Sequence, residues 1–122
     1  MANPQILASI KQMLGLGADY HAFDEELIVH INAAFFWLDQ LGVGPGIVVL
    51  DETTLWTDID QPKSTIEALK SAVWLKTRLL FDPPNSGFVT NSMTETLKEL
   101  AWRLQVEGDR QALQTATPQD PS

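Results

Sequence analysis

Pro83 and Pro84 stand side by side in a sequence that otherwise favours helix. Proline has no amide to give a helix, and its ring pushes the residue before it to extended geometry. The chain must therefore turn at Phe81-Asp82-Pro83-Pro84, and Asn85-Ser86-Gly87 supplies turn chemistry directly after it. A second break lies at Gly42, Gly44, Pro45 and Gly46, and a third at Gly15-Leu16-Gly17. Between the breaks, apolar residues recur at three- and four-residue steps, the period of an amphipathic helix.

Four helices follow from this punctuation. The first covers about 4–14, with Asn3 before Pro4 as its start and Gly15 as its stop. The second runs from Phe23 or Asp24 to Leu41, closed by Gly42, with Asp24, Glu25 and Glu26 in the first turn where the helix dipole favours them. Its main stripe is Leu27, Ile28, Ile31, Ala34, Phe35, Leu38 and Leu41, while Val29 and Phe36 lie on the opposite side. Such a helix is either sandwiched inside the domain or meets another subunit with its second face. The third covers about 65–80, with Ser64 as N-cap and Glu67 completing a capping box. The fourth runs from Phe88 or Thr90 to Gln105, and Glu99 and Arg103 have the favourable i, i+4 order.

The long connection after Gly42 holds the apolar string Ile47-Val48-Val49-Leu50, expected to be extended and to lie on the core or pair with a neighbour. Asp51 or Thr53 is expected to cap a single turn around Leu55-Trp56. From Val106 the composition turns to Gln, Thr, Asp, Gly and Pro, which reads as a flexible tail. The expected architecture is all-α: a small four-helix domain over 1–105 with one long Gly/Pro-containing loop, then an extended or disordered tail over 106–122.

The chain has no cysteine, which excludes disulfides, thiolate metal sites and a cysteine nucleophile. It holds no secretory signal and no membrane-spanning run, so no membrane partner is expected. His21 and His30 are the only histidines, and Glu26 and His30 share a helical face without the second histidine a zinc helix needs. No Gly-rich phosphate loop, calcium loop or nucleophile signature is present. No catalytic residue, metal site or cofactor is therefore expected.

Charge is unevenly placed. Between residues 19 and 60 there are nine acids and no Lys or Arg, whereas from 63 to 110 seven bases face six acids. Stable binding to a phosphate backbone needs clustered Lys and Arg, so a nucleic-acid-binding role is disfavoured. Four tryptophans are many for this length. Trp37 and Trp56 fit a core, but Trp74 lies off the stripe of its helix and Trp102 nearly opposite its own. Off-stripe tryptophan is a frequent interface residue. With the second face on helix two, these point to an oligomer.

The segment Leu79-Leu80-Phe81-Asp82-Pro83-Pro84, with Leu41-Gly42-Val43-Gly44-Pro45 before it and Glu99-Leu100-Ala101-Trp102-Arg103-Leu104 after it, resembles the head–tail connector (adaptor) proteins of long-tailed bacteriophages. The resemblance covers about residues 5–105, and Ala101 stands where the family often has a bulkier or acidic residue. It implies a structural virion protein at the neck, made in the host cytoplasm. It would form a ring of about twelve copies below the portal protein, extending the DNA channel without binding DNA specifically and docking the next tail-completion or stopper protein. It supplies no catalytic residue. It implies that Phe81, Asp82, Pro83 and Pro84 form a rigid corner and that Trp102, Arg103 and Leu104 lie on the final helix. Val29, Phe36, Trp74 and Trp102 join the corner residues as candidate interface positions. Composition alone also fits a small acidic helical module that binds a cytoplasmic protein and has no viral role.

Overall fold

The structure, a computed structural model, describes residues 4–17 and 19–116. Helices α1 (Ile6–Met13) and α2 (Asp24–Gln40) close in the same way. Gly15 and Gly42 each take a left-handed φ, +85° and +83°, just past the helix. The amide of the next residue returns to a carbonyl of the last turn: Leu16 to Lys11 at 2.8 Å and Val43 to Leu38 at 3.0 Å. Glycine adopts this backbone without a Cβ penalty, so both stops expected from sequence form a closed helix end.

Helices α3 (Lys63–Phe81) and α4 (Gly87–Ala116) form the hairpin that the Pro-Pro corner requires. α3 packs against both α2 and α4, with α1 against α2. Phe81, at the end of α3, lies edge to face on Phe23, which precedes α2, so these two helices run antiparallel. Ser64 and Thr65 at the start of α3 lie beside Glu107 and Arg110 of α4, so that pair is antiparallel too. Burial follows the apolar stripes: Ile6, Leu7 and Ile10 from α1, Leu27, Ile31, Phe35 and Leu38 from α2, Leu69, Ala72 and Val73 from α3, and Leu97 and Leu104 from α4.

The long connection contributes Val49, Trp56 and Ile59 to the same core. The Trp56 indole donates to Ser9 Oγ at 2.7 Å, and its ring lies 6.5 Å from that of Phe35. On either side, the Ile6 amide donates to the Thr54 carbonyl and the Trp56 amide to the Pro4 carbonyl, both at 3.0 Å. Gln5 and Leu55 thereby form an isolated antiparallel bridge that straps the loop to α1. Among the described residues there is no strand.

Several details differ from the sequence expectation. α3 begins at Lys63 with extended Pro62 (φ −59°, ψ 152°) before it, so Ser64 lies inside the first turn and caps nothing; Glu67 instead accepts from Lys70 at 3.0 Å. The turn at Trp56–Asp58 is capped by the Asp58 carboxylate, which accepts from the Leu55 amide at 2.9 Å, not by Asp51 or Thr53. Asp51 instead folds back to accept from the Thr53 amide. α4 starts at Gly87 with Ser86 Oγ accepting from the Val89 amide, and it does not end at Gln105. Residues 106–116, assigned to the tail, are helical, because one Gly108 lowers helix propensity by only about 1 kcal/mol inside an established helix. The rest of the expected tail, 117–122, lies outside the described residues.

Lys11 is 2% exposed and pairs with Asp24 at 2.9 Å. His21 Nδ1 lies 2.7 Å from the other oxygen of the same carboxylate. Burial pushes the Asp24 carboxyl up, but hydrogen bonds from Lys11 and His21 outweigh it and hold the group below its ordinary value of 3.8. The unfolded chain therefore takes up this proton first as pH falls. The stability contribution of Asp24 is complete above pH 3.8 and drains away as pH drops through the lower folded value. Asp24→Asn should flatten this acid limb in denaturant titrations at stepped pH. At pH 7 it should cost about 3 kcal/mol, because it removes the carboxylate from a buried ammonium. Lys11→Met, which leaves a partly exposed carboxylate beside His21, should cost less.

Thr77 is fully buried in α3, and its hydroxyl has no partner among the described residues. Thr77→Val keeps the shape and removes the unpaired group. It should raise stability by about 1 kcal/mol, read as a higher melting midpoint.

Candidate assembly surfaces

On α2, positions 25, 29, 33, 36 and 40 share one side of the helix, since they are separated by steps of three and four. All five are exposed, and Val29 and Phe36 remain 64% and 63% accessible. Of the two possibilities for the second face, the sandwiched one is excluded: it opens to solvent in the single chain. Val29, Ala33 and Phe36 make an apolar strip bounded by Glu25 and Gln40.

A second strip lies on α4. Trp102 is exposed, as its position opposite the stripe predicts. Val106, Asp109 and Leu113 continue along the same side by the same spacing, and all are exposed. The strip borders a groove of about 310 Å³ formed with Leu41 and Val43 at the end of α2. Gln105 holds this junction by donating to the Leu41 carbonyl at 3.1 Å. Val106 and Leu113 were not legible as surface positions, because the helix was expected to stop before them.

The other candidate positions fall in two places. Trp74 is half-buried and packs in part against the core. Its indole Nε1 is buried without a partner among the described residues. Phe81 is also half-buried: its ring centroid is 5.2 Å from Phe23 and 6.3 Å from His30, so the corner is pinned to the start of α2. Arg78 Nε donates to the Asp82 carbonyl, and Thr90 Oγ1 donates to the Pro84 carbonyl at 3.3 Å. Pro83 is exposed and Pro84 half-buried. The corner is thus fixed from three sides: by the Phe23 and His30 rings, by Arg78 one turn before it and by Thr90 after it.

Charge divides along the same line. Five of the seven bases between 63 and 110 pair with an acid one turn away on their own helix: Lys70, Arg78, Lys98, Arg103 and Arg110. Lys76 lies 5.0 Å over the Trp37 ring. Of the nine acids between 19 and 60, all but Asp24 are exposed, leaving eight. No Lys or Arg forms an ion pair with those eight among the described residues, and Glu26 has only His30, at 3.4 Å. The exposed charges of residues 63–110 are largely balanced among themselves, whereas those of residues 19–60 are uncompensated acid.

The ligating atoms of His21, Asp24 and Glu52 lie within 4.8 Å of one another. The Asp24 carboxylate is already engaged by Lys11 and His21, so the cluster is an ion-pair network. No helix among the described residues is long and apolar enough to cross a membrane. What the chain offers is surface: two unlike apolar strips, a braced corner and an acidic half.

Comparison with curated proteins finds no match, and neither does comparison with solved structures. A family model for phage connector proteins does match, over residues 6–111. The match takes in α1, α2, α3 and most of α4, with both apolar strips save Leu113 and the whole corner. The chain therefore belongs to the phage connector protein family, structural proteins of the head–tail connection at the neck of the virion.

Proposed function

We propose that this protein works as one subunit of a closed ring that joins the portal of the phage head to the tail and extends the DNA channel. The observation that carries the reading is the pair of unlike apolar strips on separate helices, Val29–Ala33–Phe36 on α2 and Trp102–Val106–Leu113 on α4. A ring interface is head-to-tail, so each copy presents two different patches that fit one another. A two-fold dimer would need only one self-complementary patch.

Closure also demands a fixed angle, because a small error per subunit turns a ring into a helical filament. The braced Phe81–Pro84 corner supplies that stiffness between α3 and α4. The uncompensated acids give the lumen a use: carboxylates facing passing DNA repel its phosphates and keep it from adhering. The family's structural character and the balanced charge of α3 and α4 fit a scaffold, with the portal above and a tail-completion or stopper protein below as partners.

Electron cryomicroscopy of necks in purified particles tests this directly. The expected result is a closed ring of about a dozen copies with carboxylates on the channel wall. Absence of the chain from particles, or a channel lined mainly by Lys and Arg, overturns it. The corner gives an independent check. Pro83→Ala combined with Pro84→Ala should leave the melting midpoint of the free chain within a few degrees while reducing head–tail joining about tenfold. Equal loss of folding and of joining would count against a geometric role.

A further inference from the structure

The segment 47–50 runs without turn or bend, and its burial alternates: Val49 is 1% exposed, whereas Val48 and Leu50 are 58% and 78% exposed. That is the period of a strand. Asn32 of α2 holds it there as a strand neighbour would. Its Nδ2 donates to the Val49 carbonyl at 2.9 Å, and its Oδ1 accepts from the Val49 amide at 2.7 Å. At Val49 that edge is thereby satisfied by a side chain. Backbone groups of successive strand residues point to opposite edges, so those of Val48 face away from Asn32. The Val48 amide and carbonyl and the Leu50 carbonyl have no partner among the described residues. The Leu50 amide turns to Thr54 Oγ1 at 3.3 Å.

From this geometry we infer that the segment 47–50 is a docking edge, to which a partner protein adds an extended strand carrying Lys or Arg at both ends. An exposed β-branched edge is a ready template for strand addition, with main-chain bonds giving affinity and alternate side chains giving register. The charge requirement comes from the two flanks. At one end the Asp39 carboxylate accepts from the Gly46 amide at 3.2 Å, and at the other Asp51 follows Leu50 directly. Neither carboxylate is paired with a cation among the described residues. A strand laid along 47–50 would end beside both.

A second copy of this chain fits poorly. The segment's own copy brings Asp39 and Asp51 with it, and the bases of α3 and α4 lie on helices, mostly paired on their own helix. The partner is therefore a different and locally basic protein.

This deepens the assembly reading and rests on it, and amide hydrogen exchange separates the two. Exchange at Val48 is measured in the free full-length chain and in the chain within purified head–tail particles. The expected result is fast exchange in the free chain and a slowing of at least about tenfold in particles. Val48→Pro removes the donor without breaking any bond of the free chain, and Ile47 before it is already in unturned backbone that tolerates a following proline. The purified variant should melt within a few degrees of the parent and still load onto heads, while tail joining falls about tenfold. Val48→Thr, which keeps the amide, should restore joining. Asp51→Asn should weaken the salt dependence of joining. Unchanged exchange at Val48 in particles that contain the chain overturns this inference alone. Protection that appears in the purified chain as its concentration rises overturns it in favour of self-pairing. Absence of the chain from particles overturns the assembly reading and this inference with it.

Discussion

Trp56 decides whether the connection between α2 and α3 is a loop or part of the core. Its ring is buried beside Phe35, and its indole N–H, which would be costly to bury unpaired, reaches Ser9 Oγ. Ser9 in turn donates to the Ile6 carbonyl within α1 at 3.0 Å. One tryptophan therefore joins three elements: the loop that carries it, the helix it bonds and the helix it packs on. α1 is short, and a helix of this length is not stable alone in water. The loop strap supplies an apolar partner and two main-chain bonds, one to the first residue of α1 and one to Pro4 just before it. The loop is fixed at Trp56 and again at Val49, and the second hold, by Asn32, falls inside the segment 47–50, so the docking edge is held ready rather than formed on contact.

The helical stripes were legible in the sequence because burial and period agree. Leu27, Ile31, Phe35 and Leu38 on α2 and Leu97 and Leu104 on α4 are buried where their spacing places them. Gly15, Gly42 and the Pro-Pro corner end their helices because their backbone constraints are local and strong. Features set by tertiary contact were not legible. Ser64 and Glu67 match a capping pattern, yet α3 starts after Pro62, two residues early, and leaves both inside the helix. Lys11 carries no sign that it is buried; its fate depends on Asp24 lying across from it. Asn32 is an ordinary polar residue on a helix until the loop folds back and both atoms of its amide meet Val49. The reach of α4 past Gln105 was hidden by its composition: Gly108 and scattered polar residues suggest a tail, but Glu107 and Arg110 pair at 2.9 Å along the helix. Of the candidate surface, Val29, Phe36 and Trp102 followed from spacing. Val48 and Leu50 did not, because an apolar tetrapeptide does not show which of its residues face inward.

Exposed apolar strips carry a hazard that the charge distribution limits. A free chain that shows Val29, Phe36, Trp102 and Val106 to water has surface suited to partners and to aggregation alike. A net charge of −8 opposes random association, since like copies repel. The repulsion is concentrated on the acidic half, because α3 and α4 neutralise their own charges in pairs one turn apart. Such exposed pairs contribute little stability each. Their consequence is a flank with little net charge, across which neighbouring copies can approach.

On the assembly reading, the two halves then divide the work. The stiff corner and the α4 strip, with the α2 strip of a neighbouring copy against them, suit contact between subunits, where angle and close packing matter. The acidic half suits contacts selected by charge, repelling nucleic acid and attracting a basic protein. Both follow from one asymmetry in sequence: every Lys and Arg except Lys11 lies after residue 62, and Lys11 is buried against Asp24. Had Lys11 been exposed, it would have put a cation among the acids. Folding removes it from the surface and leaves the exposed carboxylates of the acidic half without Lys or Arg among them. The ion pair between α1 and the start of α2 thus stabilises the core and, by hiding its cation, sharpens the field outside.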